Sequence, residues 1–160
     1  HNTTQHNTTQ HNTTQHNTIQ YNTIQYNTIQ SLPSGKKFLL MFKRGKFFVV
    51  YNDDAFIFHY LFGYKLTKND TTGFPETQLN KITNTLEDKK ISYQVIYKDK
   101  DPIVNDYSNL NNYYKVLNKT IEYLDMEIKI ESLKKQIDEI DNYELLCRIV
   151  EVINNELERR

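Results

Sequence analysis

The sequence is poor in the residues that build covalent or metal-held scaffolds. Among 160 residues there is one cysteine, Cys147, so no internal disulfide forms and the Cys and His companions of a zinc site are missing. A lone thiol fits a reducing compartment, and Cys147 is expected to be a small buried hydrophobe. Glycine occurs only four times and no G-x-x-x-x-G-K-[ST] loop is present, which excludes a P-loop nucleotide site. The longest apolar runs, FLLMF and FFVVY, fall far short of the roughly eighteen residues that a membrane helix needs. No charged segment leading into an apolar stretch opens the chain, which argues against secretion and for an intracellular, cytoplasmic protein. Net charge is also lacking, but the zero sum hides an asymmetry. Residues 31–104 hold 12 Lys/Arg against 8 Asp/Glu, and residues 105–160 hold 8 against 12. The mildly basic first part suggests a nucleic-acid face.

What is present falls into three regions. Residues 1–35 comprise six copies of a pentapeptide, HNTTQ drifting to YNTIQ, and a linker, SLPSG. A period of five gathers side chains on one face of neither a helix nor a strand. With so little apolar content the tract cannot offset its ordering entropy and is expected to be disordered. Its four histidines invite a metal hypothesis, but they sit five apart with no carboxylate or cysteine nearby. The tract reads as a repeat expansion or fragment start without a role of its own.

Residues 36–104 are expected to form a small α+β domain, a mixed β-sheet packed with helices. Residues 37–42 and 47–51 are rich in aromatic and branched side chains that favour strands, and Gly45 between them supplies a turn with positive φ, so the pair predicts a hairpin. Asn52, Asp53 and Asp54 then offer N-cap chemistry for a short helix, AFIFHYLF. A third strand is expected at residues 64–67, a loop at NDTTGFPE, and a helix capped by Thr77 that carries Leu79, Ile82 and Leu86 at helical spacing. ISYQVIYK alternates as a strand does. The predicted order is β-β-α-β-α-β.

Residues 105–160 predict a helical extension. Leu117, Ile121, Leu124 and Ile128 make one stripe, continued after a shift in phase by Leu133, Ile137 and Ile140. Asp141-Asn142 interrupts the run, and Leu145, Leu146, Ile149, Ile153 and Leu157 define a second amphipathic helix. A helical hairpin or short coiled coil is expected, folded on itself or paired with another chain.

The stretch MFKRGKFFVVYNDDA, followed by GFP and then by a helix and ISYQVIYK, resembles the N-terminal mismatch-recognition domain of the MutS family of DNA mismatch-repair proteins. The family pattern is roughly FYRMGDFYELFYDDA with an aGFP or aGIP turn some twenty residues on. Gly45, Phe47, Asp53, Asp54, Ala55, Gly73, Phe74 and Pro75 fall on matching positions, and the resemblance covers about residues 37–101. It implies a hairpin whose Phe-x-Glu motif reads a mispaired base: the phenylalanine falls on Phe47 and the glutamate on Val49, where the acid is missing. Lys43, Arg44 and Lys46 would then lie near phosphates. The competing expectations are that Phe47 is core and that the three charges form a solvated tip that discourages strand pairing. The family's ATPase has no counterpart in this sequence.

The functional expectation is therefore a non-enzymatic DNA-binding accessory related to mismatch repair, with double-stranded DNA as partner at Lys43, Arg44, Lys46, Phe47 and Val49. The alternative is a protein-interaction or dimerisation module that keeps the fold and self-associates or binds a partner protein through the C-terminal helices. No cofactor, metal or membrane is expected in either case. His59, the one histidine of the folded part, has no nucleophile or acid placed beside it by any motif.

Overall fold

The structure, a computed structural model, describes residues 37–107 and 111–159. The pentapeptide tract and its linker lie outside the described residues. The expected hairpin is present as β1 (Leu39–Arg44) and β2 (Phe47–Tyr51), antiparallel with Phe42 opposite Val49 and Arg44 opposite Phe47. The loop between them is two residues long, and Gly45 takes φ +60, a conformation that costs glycine little and other residues more.

Helix α1 (Asn52–Phe62) follows β2 without a connecting loop. Asn52 makes the reversal at φ 53, and its N–H donates to the Asp70 carbonyl at 2.8 Å. The N-cap position falls on Tyr51 with no side-chain bond, so the expected capping by the Asn-Asp-Asp run is corrected. Asp53 and Asp54 lie in the first turn, where the helix dipole favours acids. Gly63, at φ 75, ends the helix by donating its N–H to the His59 carbonyl.

The third strand is not at residues 64–67. It is β3 (Thr71–Pro75), inside the segment expected to be a loop. Residues 67–71 form a tight turn, closed by Thr67 N–H to the Thr71 carbonyl at 2.9 Å, and β3 pairs with β2 along its length. Two features favour this choice over residues 64–67. Gly73 lets the strands approach closely, since a Cβ there would sit 2.9 Å from the Phe48 carbonyl oxygen. Phe74 completes a stack with Phe48 and Phe58, at centroid distances of 5.3 and 5.4 Å. Pro75 is tolerated because β3 is an edge strand.

A 3-10 turn (Glu76–Gln78) leads into α2 (Leu79–Asp88). Thr77 sits inside that turn and caps nothing; the N-cap is Gln78, again without a side-chain bond. Ile82 and Leu86 are buried as their spacing predicts. Strand β4 (Tyr93–Ile96) lies parallel to β1, and a short β5 (Ile103–Asn105), unforeseen in the sequence, pairs antiparallel with β4. The result is a five-stranded mixed sheet in the order β3-β2-β1-β4-β5. One face carries Leu39, Met41, Phe48, Val50 and Val95 under the helices; the other carries Phe38, Leu40, Phe42, Tyr51 and Ile96.

Two helices follow, α3 (Asn112–Asp138) and α4 (Tyr143–Glu158). The chain divides into two compact units between Thr120 and Ile121, inside α3, rather than at residue 104. The start of α3 belongs to the first unit because Tyr113 and Val116 join its core and Thr120 is fully buried. The stripe expected from residue 117 is corrected accordingly: Leu117 and Leu124 are half-buried, while Ile121 and Ile128 are exposed. In the second unit, α3 and α4 line a common groove of about 380 Å³ with Leu133, Ile137, Ile140, Ile149, Val152 and Ile153. Asn142 caps α4 by accepting from the Leu145 N–H at 3.1 Å. Cys147 is exposed, against the expectation of burial, because no residue of α4 is buried.

Candidate nucleic-acid interface

Five residues at the β1–β2 tip are the sequence candidates, and the ladder decides what each presents. Successive residues of a strand point to opposite faces. Phe48 is 1 % exposed and enters the core beneath the helices, so its neighbour Phe47 points the other way and is 54 % exposed. Phe47 is therefore not core. It stands between Arg44 on β1 and Pro75 on β3, its two register partners, at the end of a sheet whose interior is otherwise buried. Val49 lies on the same face two residues along, opposite Phe42 and Gly73, and packs half-buried against the second apolar cluster. It offers neither a hydrogen-bond donor nor an acceptor there.

The three cations differ. Lys43 shares a face with Phe48 and lies 5.5 Å from that ring. Its Nζ donates to the Gly45 carbonyl and pairs with the Glu76 carboxylate at 2.5 Å. Its charge is thus spent within the protein. Glu76 also donates its backbone N–H to the Lys46 carbonyl at 2.9 Å, so the turn after β3 braces the hairpin tip by two routes. Arg44 is half-buried and Lys46 exposed, and neither has an ion pair among the described residues. Sequence reasoning brought Lys43, Arg44, Lys46, Phe47 and Val49 to one hairpin, and the structure holds all five there. It missed Glu76, which lies 33 residues from Lys43 and carries no local signal.

Behind the tip lies a buried polar pair that the sequence also concealed. Asp54 is completely buried; its carboxylate accepts the Leu40 N–H at 3.1 Å and the Tyr113 hydroxyl at 2.5 Å. Burial pushes its pKa up to about 7, against the opposing pull of those two hydrogen bonds and of Lys37. The pair ties α3 to β1. His59 is held by its Nδ1–H to the Tyr64 carbonyl at 2.7 Å, and among the described residues no group of His, Cys, Asp and Glu is placed to hold a metal.

Residues 20–111 match the family model of MutS domain I, more than half of the chain. The chain belongs to the MutS domain I family. This is the mismatch-recognition, N-terminal domain of MutS. The match takes in the braced hairpin, β3 with its GFP and the β4–β5 connection, whereas the whole of α3 and of α4 lies beyond it. No curated protein matches the sequence. Of the two positions that the resemblance sets on the family's Phe-x-Glu motif, Phe47 is exposed and Val49 is apolar and partly packed.

Proposed function

We propose that the hairpin of this MutS-like domain binds double-stranded DNA, with Phe47 as a wedge between base steps and Arg44 and Lys46 as phosphate contacts. The observation that carries this reading is the exposure of Phe47, a large apolar ring left in solvent at a tip rimmed by cations. An inserted ring unstacks a base step at a cost of a few kcal/mol, less where the duplex is already weak. Lys43 acts indirectly, by holding the tip through Glu76. With Val49 where the family has an acid, a mispair gains no hydrogen bond, so any preference for it arises from ease of deformation. The domain acts without catalysing a reaction, as an accessory to repair inside the cell.

Gel shifts with matched and mismatched duplexes over a salt series test this. The expected result is binding to both at low salt, weakening steeply as salt rises, with a modest preference for the mismatch. No shift with either duplex at low salt overturns the proposal.

A second reading is favoured by a separate observation. The helices of residues 121–160 expose Ile121, Ile128, Leu133, Val150, Val152 and Leu157, and exposed apolar faces of this kind commonly mark interaction surfaces. They would serve self-association or a protein partner, which the oligomeric state tests.

A further inference from the structure

The β1–β2 tip does not stand alone. Strand β4 runs parallel to β1 with Ile96 beside Phe42, and continuing that register by two residues sets Lys98 beside Arg44. Both residues line a depression of about 560 Å³, together with Lys43, Gly45 and Asp99. Its charge follows from the pairing already described. Lys43 is matched by Glu76, which leaves Arg44 and Lys98 against Asp99. Neither Arg44 nor Lys98 has an acidic partner among the described residues, and Lys98 is exposed. Lys100, the other cation of the connection, is turned away over the Tyr97 ring at 4.0 Å. Arg44 in turn is the cross-strand partner of Phe47, so the depression adjoins the exposed ring.

We infer that Arg44 and Lys98 form a cradle for one phosphodiester group of the DNA backbone, next to the base step that Phe47 enters. The inference rests on the proposed DNA binding and adds to it a contact on a second loop, the β4–β5 connection. A guanidinium fork and an ammonium lining one depression suit a phosphate oxyanion: the planar fork fixes its orientation and the lysine adds a point charge. Two anchors on different strands also set the angle at which the hairpin meets the duplex, because phosphate contacts fix register and orientation. Asp99 at the rim opposes the anion and tempers the affinity.

The test is fluorescence anisotropy of a labelled duplex with the full chain over a salt series. Lys98→Gln is expected to flatten the log–log salt dependence by about one unit, as loss of one phosphate contact does. Asp99→Asn is expected to tighten binding, and Lys119→Gln, a charge-matched change in α3 outside the depression, to leave the slope as it was. An unchanged slope in Lys98→Gln, or an equal drop in Lys119→Gln, overturns the cradle while leaving DNA binding by the hairpin in place. Failure of the unaltered chain to bind any duplex overturns both. Inorganic phosphate at constant ionic strength should not displace the duplex. Displacement that disappears in Lys98→Gln would mean a free-phosphate site and overturn the assignment to DNA.

Discussion

Two adjacent phenylalanines divide the work of the hairpin. Phe48 stacks on Phe74 and meets Tyr97 edge-on inside the core, whereas Phe47 stands in solvent. Phe48→Ala should therefore lower stability by about 3–5 kcal/mol. Phe47→Ala should leave the melting temperature nearly unchanged and weaken duplex binding by about 1–3 kcal/mol, without altering its salt slope. A melting loss in Phe47→Ala as large as in Phe48→Ala would place the ring in the core after all. Asp54 gives a second test at this scale. Its carboxyl titrates near 3.8 when unfolded and near 7 when folded, so between those values the native state keeps a proton that the unfolded chain releases. Its contribution is whole below about pH 4 and is lost as pH rises to about 7, amounting to about 4 kcal/mol at most. Asp54→Asn keeps an acceptor for the Leu40 N–H and cannot ionise. Urea melts from pH 4 to 7 should show that decline in the parent protein and a flatter profile in the variant; parallel profiles would refute the assignment.

At the scale of elements, β3 is the piece that makes the tip rigid. It pairs with β2, contributes Phe74 to the stack, and delivers Glu76 to Lys43 and Lys46. Its closeness to β2 depends on Gly73, where the obstacle to a side chain is the Phe48 carbonyl, a backbone atom that cannot rotate away. Gly73→Ala should cost about 1–3 kcal/mol in denaturant melts, the usual cost of forcing a methyl into a packed site. Unaltered stability would mean that the strands separate freely and that the brace is loose. The helix α1 shows the complementary case. It starts from a left-handed Asn52 and stops at a left-handed Gly63, so both ends are set by backbone conformation, and Asp54 is released from capping to serve the buried pair.

At the scale of the whole molecule, the two compact units differ in how they satisfy their apolar residues. The first buries them in a two-faced sheet; the second leaves most of them half-buried or exposed along α4 and the later turns of α3. No helix among the described residues is long and apolar enough to cross a membrane. If these exposed faces serve self-association, as proposed, sedimentation equilibrium of the full chain at tens of micromolar should show a dimer or larger species. A monomer throughout that range would remove the support for self-association.

Features that depend on neighbours along the chain are readable from the residues alone. The hairpin with its glycine turn, the helix-spaced Ile82 and Leu86, the break at Asp141-Asn142 and the ordered motifs that resemble MutS are all local patterns, and they were legible. The remaining features depend on contacts between distant segments. Because both faces of the sheet are covered, β1 and β2 read as continuous apolar runs, and alternation could not say whether Phe47 or Phe48 faces the core. Residues 64–67 and 71–75 compete for one ladder on β2, and the winner is set by the close approach at Gly73 and the ring of Phe74, both judged against strands elsewhere in the chain. Asp54 and Tyr113, 59 residues apart, and Lys43 and Glu76, 33 apart, are pairs that only folding brings within bonding distance. Burial and pairing change the charge a side chain presents, and neither is a property of its place in the sequence.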